Sequence, residues 1–476
     1  MLPSFEVVAR MRPVAVVGTP TVGESYADRP AGAGATAATP HLAPYAAVEV
    51  DLAPEAGSGT VMLELIGPDG ARLSVAYEDA SGAVSLCVDH EGQPVRRRSR
   101  RFGTAKVRPE RFGLALTGTH LAALTLEDSS WIVRGRIALE EDAPGLDTRD
   151  PDWLAGLVSG WSGPPVAGWR AGGFGRLGLR DVRLVTGRDG SPYRPDGRIL
   201  FTATSAGPGF FDTAHTSVWS LETGMDTNPP ELRHLSDLFF QRPDRAGGYG
   251  DHATHLVRDG ARWLVATSTW GDFPSRRSQS DLLRTGDPDN EVGVAITLAE
   301  SDADLLQGRH LLATRPLDVP TDGLRSVGVW DPHLVHTGEE WLVGFVSARK
   351  YFSFHPAYAA GPSLDELALR GAVEDRRATE GTTLLRHDGR WLLLASDGPN
   401  NPRGRRRRYP VWELPGLTEA GELAATYGTN IPWPTVVPPA ADDQPWWLVT
   451  FDGTPYGGAL PGYGTHGDVV LMRSVD

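Results

Sequence analysis

Apolar and polar residues alternate in short segments between residues 45 and 140. Examples are TVMLELIG, RLSVAYED, AVSLCVDH and LAALTLED, which are separated by turn formers such as PDG and ASG. A period of two residues is that of a half-buried β-strand. The pattern therefore predicts a β-sandwich domain over residues 1–150.

The alternation stops between residues 141 and 175. This stretch, EDAPGLDTRDPDWLAGLVSGWSGPPVAGWRAGGFG, is rich in Gly and Pro and holds one short apolar piece, LAGLV. Such a composition is typical of a segment that crosses between domains. We expect a linker over residues 151–175.

The remainder of the chain contains an internal repeat. Five apolar segments align, namely RILFTATSAG, RWLVATSTWG, EWLVGFVSAR, RWLLLASDGP and PWWLVTFDGT. Units of about 50–80 residues with about four strands each are typical of propeller blades, so residues 176–476 are predicted to form a five-bladed β-propeller. The final strand, GDVVLMRSV, is expected to close the ring with the first or the last blade. The aligned residues, spaced 64, 78, 50 and 56 apart, are Ile199, Trp263, Trp341, Trp391 and Trp447.

A carboxylate precedes four of the five repeats. Asp181, Asp251, Asp331 and Glu380 stand near the start of the strand expected to lie nearest the axis, with Thr435 at the fifth position. Residues there converge on one mouth of the channel, and gathering like charges is costly unless they have a task. The alternative is that each acid caps its own turn. The pattern favours a shared pocket in an all-β protein.

Composition narrows the class of partner. The formal net charge is -14, which argues against binding nucleic acid or an anionic membrane surface. A single cysteine, Cys87, rules out an intramolecular disulfide. The apolar run near the N-terminus is too short for a signal peptide or a membrane span, so we expect a cytoplasmic protein.

Three segments resemble the Asp, Asp-Pro and Glu-Gly motifs of five-bladed glycoside hydrolases, chiefly family 43 with its arabinanases, arabinofuranosidases and xylosidases. They are LRDVRLV at 179–185, VWDPHLVHTGEEWLVGFVS at 329–347 and TEGTTLLRHDGRWLLLAS at 379–396. The resemblance implies a glycoside hydrolase that acts on the end of a small furanoside or pentoside, with inversion and without a required cofactor. The resemblance also allows a structural calcium ion in the propeller channel.

The same resemblance implies three catalytic roles. Asp181 would be the base that activates water, Asp331 would orient the acid and tune its pKa, and Glu380 would protonate the leaving oxygen. Two departures stand out: Asp181 is followed by Val182 where the family usually has a proline, and the second blade reads GYGDHATHLV. We therefore expect Asp251 and His252 to contact substrate, with a turn cap and a satisfied histidine as the alternative.

Further substrate contacts are expected from aromatic and histidine side chains, Trp330, His333, Trp433 and His466, since aromatic faces stack on sugars. The arginine runs at 96–101 and 403–408 are expected to be solvated loops, with an anion site at the pocket mouth as the alternative for the second. The oligomeric state is left open.

The N-terminal domain resembles the concanavalin-like jelly rolls attached to such propellers, through FGLALTGTHLAALTLEDSSW at 112–131. We expect it to brace the propeller. Two other functions stay open: a phosphate-dependent glycoside phosphorylase or transglycosidase, and a propeller that binds glycans or tailors a small molecule without hydrolysis.

Overall fold

The computed structural model describes residues 2–20, 26–53, 59–223, 229–273, 293–350, 353–454 and 467–475. Within these ranges the regular structure is almost wholly β. The exceptions are two short α-helices, Leu139–Asp142 and Pro151–Ala155, and two 3-10 turns, Pro195–Gly197 and Phe211–Thr213. The predicted all-β class is confirmed. In the same ranges, no helix is long and apolar enough to span a membrane.

The N-terminal domain is an antiparallel sheet of nine strands that curls until its two ends nearly meet. Two more strands, Ala15–Val17 and Ala27–Ala38, pair with its central strand. Across the sheet, the nine strands are Ser130–Ala138, His120–Glu127, Arg111–Thr117, Tyr45–Asp51, Val158–Arg176, Thr60–Ile66, Arg72–Glu78, Ala83–His90 and Gln93–Arg97.

Alternation along these strands builds the core of the domain. In Arg72–Glu78 the side chains of Leu73, Val75 and Tyr77 are buried, while the residues between them reach the surface. The buried set packs against Phe112 and its neighbours in one cluster. Burial of this kind contributes about 25 cal/mol per Å² of apolar area removed from water.

Residues 158–176, which lie mostly within the expected linker, are instead the central strand of this sheet. Val158–Arg176 pairs with the strands on both of its sides, and Trp161 and Trp169 are buried in the core. Its glycines had suggested a loop, but they serve close packing. A Cβ on Gly173 would lie 2.3 Å from the guanidinium of Arg309 in the propeller.

The propeller has five blades of antiparallel strands, extended at two edges by parallel pairs. From the axis outward, blade 1 is Leu179–Leu184, Ile199–Ser205, His215–Glu222, Glu231–Arg242 and Arg245–Tyr249, with Gly308–Ala313 beside it. Blade 2 is His252–Asp259, Arg262–Ser268, Ile296–Ser301 and Arg315–Pro316, with Thr186–Gly187 at its inner edge. Blade 3 is Val329–His336, Trp341–Lys350, Ser353–Gly361 and Ala368–Ala372. Blade 4 is Thr379–His387, Arg390–Asp397, Pro410–Glu413 and Thr418–Glu422. Blade 5 is Thr435–Val437, Trp447–Asp452, Asp468–Val475 and Ser4–Met11.

The two ends of the chain meet in blade 5. Ser4–Met11 is its outermost strand and pairs along its length with Asp468–Val475. The final strand therefore joins the last blade, one of the two predicted closures. Residues 4–11 belong to the propeller rather than to the N-terminal domain, because pairing covers an edge that would otherwise be exposed.

The curled sheet contacts blades 1 and 2. Tyr45 Oη donates to the carbonyl of Ala214 at 2.8 Å, and Arg149 Nη2 donates to the carbonyl of Gly271 at 3.1 Å. Arg309, at the seam, donates to the carbonyls of Tyr45 and Phe174 at 3.4 Å each. These contacts join the N-terminal domain to the segments before His215–Glu222 and after Arg262–Ser268 and to the strand Gly308–Ala313. That the domain braces the propeller stays a prediction.

Candidate active site

A β-bulge recurs at one level of the inner strands of blades 1 to 4. Each contains a residue with left-handed backbone: Asp181 (φ 51°), Ala253 (φ 61°), Asp331 (φ 56°) and Gly381 (φ 74°). In every case two residues oppose one on the neighbouring strand. Such bulges re-aim side chains and are frequent next to functional sites.

The bulges put the side chains into register around the channel mouth. Asp181 corresponds to Ala253, Asp331 and Gly381, so Glu380 stands one position before this level. Its counterparts in blades 1, 2 and 3 are Arg180, His252 and Trp330.

These two levels line a cavity of about 260 Å³. Asp181, Asp331 and Glu380 reach it from blades 1, 3 and 4, so the three predicted catalytic carboxylates converge. Of the predicted substrate contacts, His252, Trp330 and Trp433 also line it. The rest of the aromatic wall comes from Phe211, Trp270, Phe354 and Phe451.

Asp251 does not line this cavity. It is fully buried, accepts hydrogen bonds from Arg242 at 2.9 and 2.5 Å, and accepts a third from the backbone N–H of Gly271 at 3.0 Å. The residue of blade 2 at the level of Asp331 is Ala253, and Asp251 lies two positions before it. Asp251, predicted to contact substrate, therefore lies outside the cavity and holds the blade together.

His333 lies one level below the cavity. Its Nδ1 accepts a hydrogen bond from the backbone N–H of Leu384 at 3.2 Å, and its ring stacks on His255 with centroids 4.1 Å apart. Burial holds the pKa of both imidazoles well below the usual value. His333 is thus neutral and lies in the layer beneath the cavity, which we call the floor. It does not line the cavity itself. His466 lies outside the described residues.

Arg183 completes this floor beneath the carboxylates. Its Nη1 donates to the carbonyl of Thr382 at 2.8 Å, and its guanidinium lies over the ring of Trp433, 4.6 Å from the centroid. Nε and Nη2 have no hydrogen-bond partner among the described residues. A buried cation and two neutral imidazoles do not fit a calcium ion, which takes oxygen ligands. In the described ranges no group of three or more His, Cys, Asp or Glu side chains is placed to hold a metal.

Asp331 is the most deeply buried of the three acids. Its Oδ2 accepts from the backbone N–H of Gly381 at 3.0 Å, and its own N–H donates to Ser268 Oγ at 3.0 Å. Burial and the negative charge of Asp181 raise the pKa of Asp331, and Arg183 and the Gly381 hydrogen bond oppose the rise. The residue links blade 3 to the inner strand of blade 4, Thr379–His387, which carries Glu380.

Glu380 and Asp181 also line the cavity, and both are less deeply buried than Asp331. Burial, followed by the charges of Asp331 and Asp181, raises the pKa of Glu380 well above that of an ordinary glutamate. Burial also raises the pKa of Asp181, but Arg180, whose Nε lies 3.4 Å from Oδ2, opposes the effect, together with Thr204 and Arg183. Proximity to cations thus favours charge on Asp181, whereas the negative neighbours favour a proton on Glu380.

Sequence reasoning missed several residues of the site. Arg180 was hidden because it precedes Asp181 directly and belongs to the level of Glu380, which only the bulges reveal. Asn401 was missed because it lies on a loop. It accepts from the N–H of Arg377 at 2.7 Å and donates to Thr379 Oγ1 at 3.0 Å, and so fixes the segment that leads to Glu380.

The buried acids are expected to make stability depend on pH. The pKa of Asp331 rises from 3.8 to about 8 in the folded protein, so the folded state holds a proton that the unfolded state releases. Stability from this group is greatest near pH 4 and falls toward pH 8. Asp331→Asn should therefore raise the melting temperature over wild type increasingly across this window, by roughly 2–4 °C at its upper end. Thermal denaturation at several pH values measures this, with exposed Asp322→Asn as control; a constant difference would contradict it.

Gly381 is expected to tolerate no side chain. With φ at 74°, it would place a Cβ 2.5 Å from Cδ1 and Cγ of Trp433. Gly381→Ala should cost about 2–4 kcal/mol of unfolding free energy, from backbone strain plus overpacking. Chemical denaturation tests this against Gly389→Ala in the same hairpin, which has φ at 76° but nothing within 4 Å. Equal losses in the two variants would show that crowding against Trp433 is not the cause.

Comparisons with known proteins give similarity of fold at low sequence identity. No family model matches the chain, and no curated protein matches it. Among solved structures, a family 32 β-fructofuranosidase of Bombyx mori is 14% identical with a TM-score of 0.41, over 62% of this chain and 60% of that one. A GH43_1 enzyme from Xanthomonas citri is 14% identical with a TM-score of 0.38, over 63% and 87% of the two chains. A B. subtilis levansucrase is 10% identical with a TM-score of 0.41, over 63% and 86%. The five blades of this chain follow from its own strand pairing, and the chain spans less than two thirds of the Bombyx mori protein.

Proposed function

We propose that the protein is a glycoside hydrolase that releases one sugar from the end of a small furanoside or pentoside. One observation carries the proposal: carboxyl groups of Asp181, Asp331 and Glu380, from three separate blades, line one small cavity with aromatic walls. Glycoside hydrolysis uses two carboxyl groups in opposite protonation states.

The environments of Glu380 and Asp181, the two less deeply buried acids, favour different protonation states. Glu380 stands near two other carboxyl groups, which favours its protonated form and the role of general acid. Asp181 stands beside Arg180, which favours the carboxylate and the role of base. Asp331 accepts a hydrogen bond from the N–H of Gly381 and thereby positions Glu380.

The reaction then proceeds as follows. Glu380 gives its proton to the glycosidic oxygen as the bond from this oxygen to the anomeric carbon breaks. A water molecule on the opposite face gives a proton to Asp181 and forms the new bond to the anomeric carbon. The leaving group departs as a neutral alcohol, the sugar is released with inverted configuration, and proton exchange with solvent restores both acids.

The cavity indicates a short substrate. At about 260 Å³ it falls below the roughly 300–1,000 Å³ of sites for drug-sized ligands, so it suits a single sugar ring. Aromatic faces such as those of Trp270 and Trp433 would stack on the apolar face of that ring. This favours removal of terminal sugars over cleavage within a polymer.

A screen of aryl arabinofuranosides, xylosides, fructosides and galactosides at several pH values tests the proposal. We expect turnover of at least one of them, with a proton NMR time course showing an inverted anomer as first product. Absence of turnover across the panel, with the protein folded, would contradict a glycosidase. Retained configuration would instead make Asp181 a nucleophile.

A further inference from the structure

A second depression adjoins the active-site cavity. It measures about 620 Å³, and Asn400 lines both spaces. Arg349, Lys350 and Arg377 border it. Arg377 is three residues before Glu380, so their Cα atoms lie at most about 11 Å apart. We name this depression the basic groove.

The two acidic residues that line the groove, Glu374 and Asp375, each lie near an arginine. Asp375 is ion-paired with Arg405, and Glu374 lies 3.9 Å from Arg349. In contrast, the side chains of Lys350 and Arg377 are exposed and have no ion-pair partner among the described residues. The groove is thus locally positive in a protein whose formal net charge is -14.

The groove is also partly preorganised. Arg349 donates to the backbone carbonyls of Glu374 and Arg376 at 2.7 Å each, which fixes the rim beside Arg377. The backbone N–H of Arg377 donates to Asn401 Oδ1 at 2.7 Å. The position of each backbone is therefore set before any ligand arrives, and only two long cationic side chains remain to be ordered.

The arginine run at 403–408 does not supply the site directly. Arg406 Nε donates to the carbonyl of Asn401 at 2.5 Å, and Arg408 lies 3.2 Å from a carboxylate oxygen of Glu422. Arg405 is held by Asp375. By neutralising Asp375, the run leaves Lys350 and Arg377 as the cations available to a ligand.

We propose that the basic groove is the leaving-group subsite and binds an oxyanion carried by the substrate's aglycone, a carboxylate or a phosphate. This inference rests on the proposed function, in which Glu380 protonates the leaving oxygen, so the aglycone must lie on the side of Glu380. Arg377 is on the same chain segment as that acid. A carboxylate or phosphate there would form ion pairs with Lys350 and Arg377 and offset their positive charge.

Binding measurements test the groove independently of turnover. The probes are 4-carboxyphenyl and 4-carbamoylphenyl glycosides of arabinofuranose and xylose, titrated calorimetrically into the Glu380→Gln variant at low salt. We expect the carboxylate form to bind about 5- to 20-fold more tightly than the amide, and added salt to reduce the preference. Lys350→Gln and Arg377→Gln should each reduce the preference further. Lys106→Gln, the other lysine of the chain, is the matched control and should change nothing.

The outcomes separate this inference from the proposed function. Three results would contradict an anion-binding subsite in the groove: equal binding of the two probes, no binding of either, or a preference that survives both substitutions. Each would do so whether or not the wild type hydrolyses glycosides. Turnover of neutral aryl glycosides reports on the proposed function alone. Inorganic phosphate identifies the source of the anion: competition with the carboxylate probe without sugar phosphate formation indicates an anionic aglycone. Sugar phosphate formed by the wild type would show phosphate attacking the anomeric carbon in place of water, from the face opposite the leaving group, and would contradict an anionic aglycone as the occupant of the groove.

Discussion

Replacing Glu380 with glutamine should lower kcat on an alkyl glycoside by about 10²–10⁴-fold and leave substrate binding nearly unchanged. The amide has almost the same shape but cannot release a proton to the leaving oxygen. The loss should be smaller for an aryl glycoside with an acidic phenol, because that leaving group needs less protonation. Steady-state kinetics over a series of phenols measures the dependence.

A second variant in the same blade controls for general damage. Glu413 lies on the surface 3.0 Å from Arg390, and Glu413→Gln removes a charge without touching the cavity. Its kcat should match that of wild type. A Glu380→Gln variant with full activity, or with a loss equal for every leaving group, would show that Glu380 is not the acid.

Replacing Asp181 with asparagine should reduce turnover to a similar extent, by about 10²–10⁴-fold, because no base remains to take the proton from water. Binding of substrate should persist, since the aromatic walls are unchanged. Single-turnover kinetics together with calorimetric binding separates the two effects. Activity close to wild type would remove Asp181 from the mechanism.

Asp251→Asn is the informative comparison for this variant. Both aspartates precede an aligned repeat, yet only Asp181 lines the cavity. Removing one partner of the buried Asp251–Arg242 pair should cost about 3–5 kcal/mol of stability. The protein that remains folded should keep its kcat. Loss of kcat without loss of stability would place Asp251 in the reaction instead.

The site gathers acids at a cost in folding free energy. Three carboxyl groups are withdrawn from water within one cavity, and Arg180 and Arg183 offset only part of the repulsion. The curled sheet and the ring closure supply packing elsewhere that holds this arrangement. A gain in stability from Asp331→Asn would be a direct measure of the cost.

The sequence alone was sufficient for the architecture and for much of the site. Five repeats of strand pattern predicted five blades, because a two-residue period and the spacing of turns are local properties. The Asp, Asp-Pro and Glu-Gly segments identified Asp181, Asp331 and Glu380, and the structure brings these three together. Trp330, Trp433 and His252, which were predicted to contact substrate, line the same cavity.

Only the tertiary structure decided the register and the boundaries. Asp251 was expected at the same channel mouth as Asp331, but strand pairing puts Ala253 at the level of Asp331, and Asp251, two residues earlier, is held by Arg242. Val158–Arg176 reads as a linker until its glycines are seen packed against the propeller. Ser4–Met11 joins blade 5 across more than 450 residues of chain. Bulges, close approaches and pairing between distant segments depend on partners that no local pattern contains, and for this reason they appear only in the folded molecule.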